Sequence, residues 1–265
     1  MTFVLRTATD TGNPNLPDTR SNPVRDAIMA ARPFIWLHPD SQQIGEALDG
    51  TLALLGDFTS RTWRPTRGKR PEVIDAGTTK AIRFAVGTDG SEALTNVGNA
   101  DLLPASPSGL TLVALIRCPV DMAVDRSVIV GTMDETPLAF FVNTDGKLFF
   151  MSKYNDGASV MSGNTNLRDG LWHTVMVAVP GTGAGGQIFV DGVADNINSG
   201  NTFSWNANRK LMVGSAGLTG VGRYFEGDFG GLLGVATDVR LSANSELSLA
   251  VNAEFEDEQL KRAGA

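Results

Sequence analysis

The sequence holds one cysteine, Cys118, among 265 residues. A single thiol cannot close an intrachain disulfide, so a small disulfide-stapled scaffold is excluded. His38 and His173 are the only histidines, too few beside one cysteine to supply a zinc set. There is no run of about 18 apolar residues, the length a membrane-spanning helix requires. A secretory signal needs basic residues, an apolar stretch and a small-residue cleavage site. Here Met1–Arg6 leads instead into polar residues 7–25, rich in Pro, Asn, Thr and Asp. The sequence therefore predicts synthesis in a cytoplasm without export by the usual route. It also contains no Asn-x-Ser/Thr acceptor with a permitted middle residue and no lipidation signal. No unit of 20–50 residues repeats, which excludes a solenoid or propeller.

What is present is an ordinary globular composition: 42% apolar and 19% charged residues, 30 Gly and 12 Pro. The net charge of −7 is unevenly spread. Residues 1–80 carry ten basic and nine acidic side chains, whereas 81–265 carry twelve and twenty. An acidic body repels phosphate backbones, so no nucleic-acid partner is expected.

Pro14, Pro17 and Pro23 in a polar setting predict an extended arm over residues 1–25. A short helix is expected from Val24 to Ala31, started by Asn22-Pro23. Phe34–Leu37 then reads as a short strand. Beyond Lys80 the pattern is strands separated by turns: Ala81–Val86, Leu110–Arg117, Ser127–Gly131, Leu138–Asn143, Lys147–Ser152, His173–Val179, Gln187–Asp191, Lys210–Gly214 and Leu232–Leu241. Asp-Gly occurs six times, at 49, 89, 145, 156, 169 and 191, and both residues tolerate the positive φ of tight hairpins. Short, regularly spaced strands of this kind predict an all-β fold, an antiparallel β-sandwich jelly roll. Leu247, Val251 and Phe255 recur at helical spacing, and Lys261-Arg262 suit a helix C-terminus, so a helix closes the chain. Its outer face is expected to be acidic through Glu254, Glu256, Asp257 and Glu258. The organisation that follows is an arm with a short helix over 1–32, a sandwich over 33–242 and a helical tail over 243–265.

Several segments, in order, resemble the laminin G-like branch of the concanavalin A-like lectin/glucanase superfamily. Gly170-Leu171-Trp172-His173-Thr174-Val175 is similar to its G-x-W-H-x-V strand, and Phe189-Val190-Asp191-Gly192 to its Y-V-D-G hairpin. Leu211–Gly214 is similar to L-x-I-G, Phe225-Glu226-Gly227 to F-x-G, and Ala81-Ile82-Arg83-Phe84 to A-L-R-F. Phe34–Asp40 and Arg70-Pro71-Glu72-Val73 resemble the opening elements of a subgroup found in microbial surface and phage proteins. The resemblance covers residues 33–250. It implies the sandwich fold, but that fold carries lectins, hydrolases and structural modules alike.

Catalytic chemistry finds little support in the sequence. A retaining glycosidase needs two carboxylates about 5–5.5 Å apart, and Glu254–Glu258 lies in a predicted helix without the strand spacing of the glucanase branch. Asp134-Glu135 falls in a turn. Gly181–Gly186 satisfies G-x-G-x-x-G, yet a strand follows where a dinucleotide site needs a helix. His173 belongs to a strand motif that recurs for packing, and Cys118 closes an apolar strand as a small core residue. No cofactor is expected. The resemblance leaves calcium open at the loop rim, through Asp89, Asp156 and Asp228.

Two stretches read as interaction candidates. Residues 61–70 hold five cations and a tryptophan without an acid: Arg61, Trp63, Arg64, Arg67, Lys69 and Arg70 could dock an acidic partner or grip an anionic glycan. They could equally form an exposed loop that offsets the acidic body. Residues 198–208 are polar with two aromatics, so Phe203, Trp205, Asn206 and Asn208 form a candidate glycan site, with packing of Trp205 beneath its loop as the alternative. Three functions remain: a non-enzymatic virion structural protein of a bacteriophage (capsid decoration or tail), a soluble carbohydrate-binding lectin module, and a glycan-active hydrolase. In the first, the arm docks on other virion proteins and the domain faces outward on the virion surface. A homo-oligomer is then expected, with a trimer preferred.

Overall fold

The computed structural model describes residues 22–39, 43–59, 61–66, 70–85, 92–96, 103, 109–132, 138–154, 157–181, 185–198, 200–205, 209–216 and 224–263. Of the extended arm expected over residues 1–25, residues 1–21 lie outside them, and Pro23–Arg25 form the first turn of a helix instead, started by the Asn22 cap. Elements are numbered in chain order. One antiparallel sheet, A, runs β15 (Val193–Asn198), β14 (Gly186–Val190), β13 (Trp172–Pro180), β8 (Gly109–Arg117), β17 (Gly227–Val235), β6 (Thr79–Phe84) and β5 (Glu72–Ala76). A short β1 (Ile35–Leu37) also pairs with β17. The second, B, runs β12 (Gly157–Ser162), β11 (Leu148–Tyr154), β10 (Leu138–Asn143), β9 (Arg126–Thr132), β16 (Leu211–Val213), β7 (Leu94–Asn96), β4 (Thr62–Pro65), β3 (Leu52–Gly56) and β2 (Ile44–Glu46).

The sheets pack face to face as a jelly-roll sandwich. Alternation along sheet A decides which side chains meet. Leu112, Ala114 and Ile116 of β8, Val175 and Val177 of β13, and Phe229 and Leu232 of β17 join Trp63, Phe140 and Phe150 of sheet B in the inter-sheet core. The intervening Val113, Leu115, Met176, Leu233 and Val235 point the other way and pack under helices. Those helices are α1 (Pro23–Ala30), capped by the Asn22 side chain, and α2 (Ser245–Ala263). Sheet A is thus covered on both faces, which is why its central strands read as unbroken apolar runs.

The helix pattern of Leu247, Val251 and Phe255 matches the buried face of α2. Its outer face is not the expected one. Glu254 and Glu258 are buried, at 4% and 5% exposure, and pair with Arg25 and Arg262. Only Glu256 and Asp257 of that acidic run face solvent. The last long strand also differs: β17 starts at Gly227 and ends at Val235, not Leu232–Leu241. Its glycines argue against a strand by propensity, but they are needed for close approach. A Cβ at Gly234 would collide with the Phe34 ring, and one at Gly230 with Leu115 and Arg262.

Candidate functional site

Cross-strand register assembles a polar row at one end of sheet A. Glu72 pairs with Arg83, Arg83 with Asp228, Asp228 with Arg117, and Arg117 with Trp172. Directly paired residues share a face, and Trp172 packs in the cluster beneath the helices, so the row lies on that side. Asp228 is 5% exposed and accepts from both arginines. Arg83 Nε reaches Oδ1 at 2.8 Å, and Arg117 Nε reaches Oδ2 at 2.8 Å. Arg117 also lies over the Trp172 ring, 5.2 Å from its centroid. A buried carboxylate thus fixes two guanidiniums that remain partly open to solvent.

Beside this row lies a groove of about 470 Å³, walled by Phe84, Ala85 and Pro119 and lined by Arg83, Arg117, Glu226 and Asp228. Glu226 is held by its own chain surroundings: Oε2 accepts from the Ala123 and Val124 amides at 2.7 and 3.1 Å. Gly227 follows at φ +143°, where a Cβ would strike the Arg117 carbonyl. Glycine is therefore required for β17 to enter the sheet beside β8. Cys118 forms part of the groove wall, but burial pushes its thiol up to about 12, so it is not a nucleophile near neutral pH.

A second polar cluster joins two of the recognised motifs. His173 Nδ1 lies 2.7 Å from Asp191, and Nε2 lies 3.1 Å from Asp169. Asp191 further accepts from the Thr174 amide and from Gln259 of α2. The Asp191 bond, more than Asp169, raises the His173 pKa above its ordinary 6.5. Burial disfavours the Asp191 charge, but His173 and the Thr174 amide outweigh it and hold that carboxyl below its ordinary 3.8. A raised histidine stabilises the fold fully below pH 6.5, and that stabilisation is lost as pH climbs through the folded value. A depressed aspartate contributes above 3.8 and loses its contribution as pH falls through its folded value. The pair should therefore contribute most between those limits. In urea denaturation, the stability gap between wild type and His173→Gln is expected to be wider at pH 5.5 than at pH 9; an equal gap would discount the ion pair.

The cationic stretch is divided by the fold. Trp63 is fully buried in the inter-sheet core, donating from Nε1 to Asp57 at 3.1 Å. It is a core residue and presents no surface to a partner, because β4 turns it inward between the sheets. Arg61 is half-buried and its guanidinium donates to the Phe34 carbonyl. Arg64 and Arg70 are exposed or nearly so; Arg67 and Lys69 lie outside the described residues. Phe203 is 2% exposed and packs against Phe150 with centroids 5.5 Å apart, so its ring is not free to stack on a sugar. Trp205 is half-buried against the same core, and Asn206 and Asn208 lie outside the described residues. Asp228 has both oxygens engaged by guanidinium donors, which removes it as a calcium ligand. Asp89 and Asp156 lie outside the described residues.

His38, Glu254 and Glu258 form the one buried grouping of metal-ligand types among the described residues. The carboxylate oxygens that face the imidazole at 3.5 and 3.6 Å are the ones already bound by Arg25 and Arg262. Two carboxylates are balanced there by two guanidiniums, and a divalent cation would add uncompensated charge in a dry site. The cluster fits a bolt fastening α2 and α1 to sheet A better than a metal centre.

A family model described as the concanavalin A-like lectin/glucanases superfamily matches residues 76–232, more than half of the chain. No curated protein matches the sequence. Among solved structures, domain 4 of AbnA, a GH43 extracellular arabinanase from Geobacillus stearothermophilus solved with arabinotriose, aligns at TM-score 0.56 and 14% identity, over 82% of this chain and 98% of that one. The binding domain of Paraclostridial Mosquitocidal Protein 1 aligns at 0.58 and 12%, over 82% and 51%. The botulinum neurotoxin serotype D binding domain aligns at 0.59 and 9%, over 88% and 53%. The chain thus spans about half the length of the toxin binding domains. At these identities the likeness concerns the fold alone.

Proposed function

The chain belongs to the concanavalin A-like lectin/glucanases superfamily, and we propose that it is a non-enzymatic, carbohydrate-binding subunit displayed on a bacteriophage particle. The observation that carries the binding reading is the groove beside Arg83 and Arg117, where fixed donors and a fixed acceptor converge on an open, partly apolar cleft. Such preorganised polar groups in a concave site are the usual form of a small-ligand pocket. Asp228 is taken by two guanidiniums, and Glu254 and Glu258 are ion-paired beneath α2, which favours binding over hydrolysis at these positions. The arabinanase domain solved with arabinotriose supports the same reading by analogy of fold.

The particle context rests on sequence character. A lectin-like sandwich whose single thiol is buried needs no oxidising compartment to fold. A Pro-rich arm suits docking on neighbouring virion proteins, followed by release of the assembled particle from the host cytoplasm. A symmetric homo-oligomer, a trimer by preference, would multiply weak individual contacts through avidity. Deletion of residues 1–21, which spares the Asn22 cap and Arg25, is expected to abolish co-sedimentation with the particle while leaving the circular-dichroism spectrum of the sandwich intact. Undiminished incorporation would refute arm docking, and a glycan array wholly negative for the wild-type protein would refute carbohydrate binding.

A further inference from the structure

The geometry points to the groove between Arg83, Arg117 and Glu226 as the sugar subsite, and to a neutral saccharide ring with adjacent hydroxyls as its ligand. This rests on the carbohydrate-binding reading above and gives it a place and a chemical class. A sugar hydroxyl both donates and accepts, so a diol is best held by a carboxylate on one side and a guanidinium on the other. The groove supplies that combination. Glu226 uses Oε2 for the Ala123 and Val124 amides, and Arg83 and Arg117 each spend Nε and Nη2 on Asp228. Oε1 of Glu226 and the Nη1 atoms of the two arginines are left to serve the groove. Ala85 and Pro119 form an apolar edge suited to the C–H face of a ring, and about 470 Å³ accommodates one or two sugar units.

Charge selects the class. Two guanidiniums face two carboxylates, Asp228 and Glu226, so the groove offers no net field for an anion. A uronate or phosphate would also be repelled by Glu226. Rigidity favours binding as well. Asp228 is buried and clamps both arginines, so little side-chain freedom is lost when a ligand arrives.

The test is titration of the full-length protein, by calorimetry or saturation-transfer NMR, with arabinotriose, xylotriose, maltotriose, mannotriose and trigalacturonate. Wild type is expected to bind at least one neutral trisaccharide, with an affinity that changes less than about two-fold between roughly 50 and 500 mM salt. Glu226→Gln keeps a carbonyl oxygen for the Ala123 and Val124 amides but replaces the acceptor facing the groove. It should fold normally and bind about ten-fold or more weakly, as should Arg83→Ala. Binding retained by both variants at unchanged melting temperature would overturn this location while leaving carbohydrate binding standing. Preference for trigalacturonate with a steep salt dependence would overturn the neutral class. No binding by wild type would overturn both this subsite and the reading beneath it.

Discussion

Replacing Arg262 with alanine is expected to destabilise the protein by about 3–5 kcal/mol, the cost of breaking a buried ion pair on one side. The Arg262 side chain is fully buried. Its Nη1 donates to the Glu258 carboxylate at 2.7 Å and to the Glu258 carbonyl at 2.9 Å, and its Nη2 donates to the Lys80 carbonyl at 3.0 Å. It also lies 5.8 Å from the Trp172 ring centroid. Alanine would leave a buried carboxylate facing His38 with Lys261 and, at 4.0 Å, Arg25 as its remaining cations, and would open a gap between α2 and sheet A. The nearby β5–β6 hairpin is tied to the same helix end: the Thr78 amide donates to the Lys261 carbonyl at 3.0 Å. At Gly77, φ +61°, a Cβ would collide with that carbonyl. Urea denaturation followed by tryptophan fluorescence reads the loss directly. A change below about 1 kcal/mol, the range of an exposed ion pair, would show that α2 is held by its apolar face alone.

Substituting Trp63 by alanine should cost about 3–5 kcal/mol as well, by the cavity it would leave. The indole is fully buried between the sheets, and its N–H satisfies Asp57. Asp57, 6% exposed, also accepts from the Trp36 and Thr59 amides at 3.3 and 2.6 Å. It therefore ties β4 to β1 and to the turn after β3. Trp63→Phe separates the two contributions: it restores most of the volume but not the hydrogen bond, and should cost about 1–3 kcal/mol. Thermal denaturation of both variants checks the order. A Trp63→Ala protein as stable as wild type but deficient in partner attachment would return this residue to the surface role its cationic neighbours suggest.

Those two residues illustrate what the sequence made legible. Arg262 sits where a cation suits a helix terminus, and the spacing of Leu247, Val251 and Phe255 gives the buried face of α2. Glu258 has Arg262 one turn on, but nothing local shows that Glu254 and Glu258 turn under the helix, because Arg25 and His38, which meet them there, lie more than 200 residues away in the chain. Trp63 lies in a run of arginines and reads as an interface anchor. Only its place on β4, turned between the sheets into the same core as Phe140 and Phe150 of its own sheet, makes it core. The Gly-rich β17 was displaced by propensity for a similar reason: its glycines answer to Phe34 and Arg262, not to their sequence neighbours.

The candidate site shows the same division. Arg83, Glu226 and Gly227 fall inside segments that resemble superfamily motifs, and Arg117 ends a strand that the apolar pattern locates. No sequence spacing connects residues 83, 117, 226 and 228. The antiparallel register of β6, β17 and β8 brings Arg83, Asp228 and Arg117 into one row, one residue from each strand, and the Ala123 and Val124 amides hold Glu226 beside it.

By itself the sequence determined the all-β class, most strand positions after residue 80, the closing helix and the exclusion of disulfide and zinc scaffolds. These follow from local periodicity, turn chemistry and composition. The tertiary structure alone decided which charges are buried, which aromatics are core and where an open polar groove lies. Burial and electrostatic pairing depend on neighbours across strands and helices, and those neighbours exist only once the two sheets and α2 have packed.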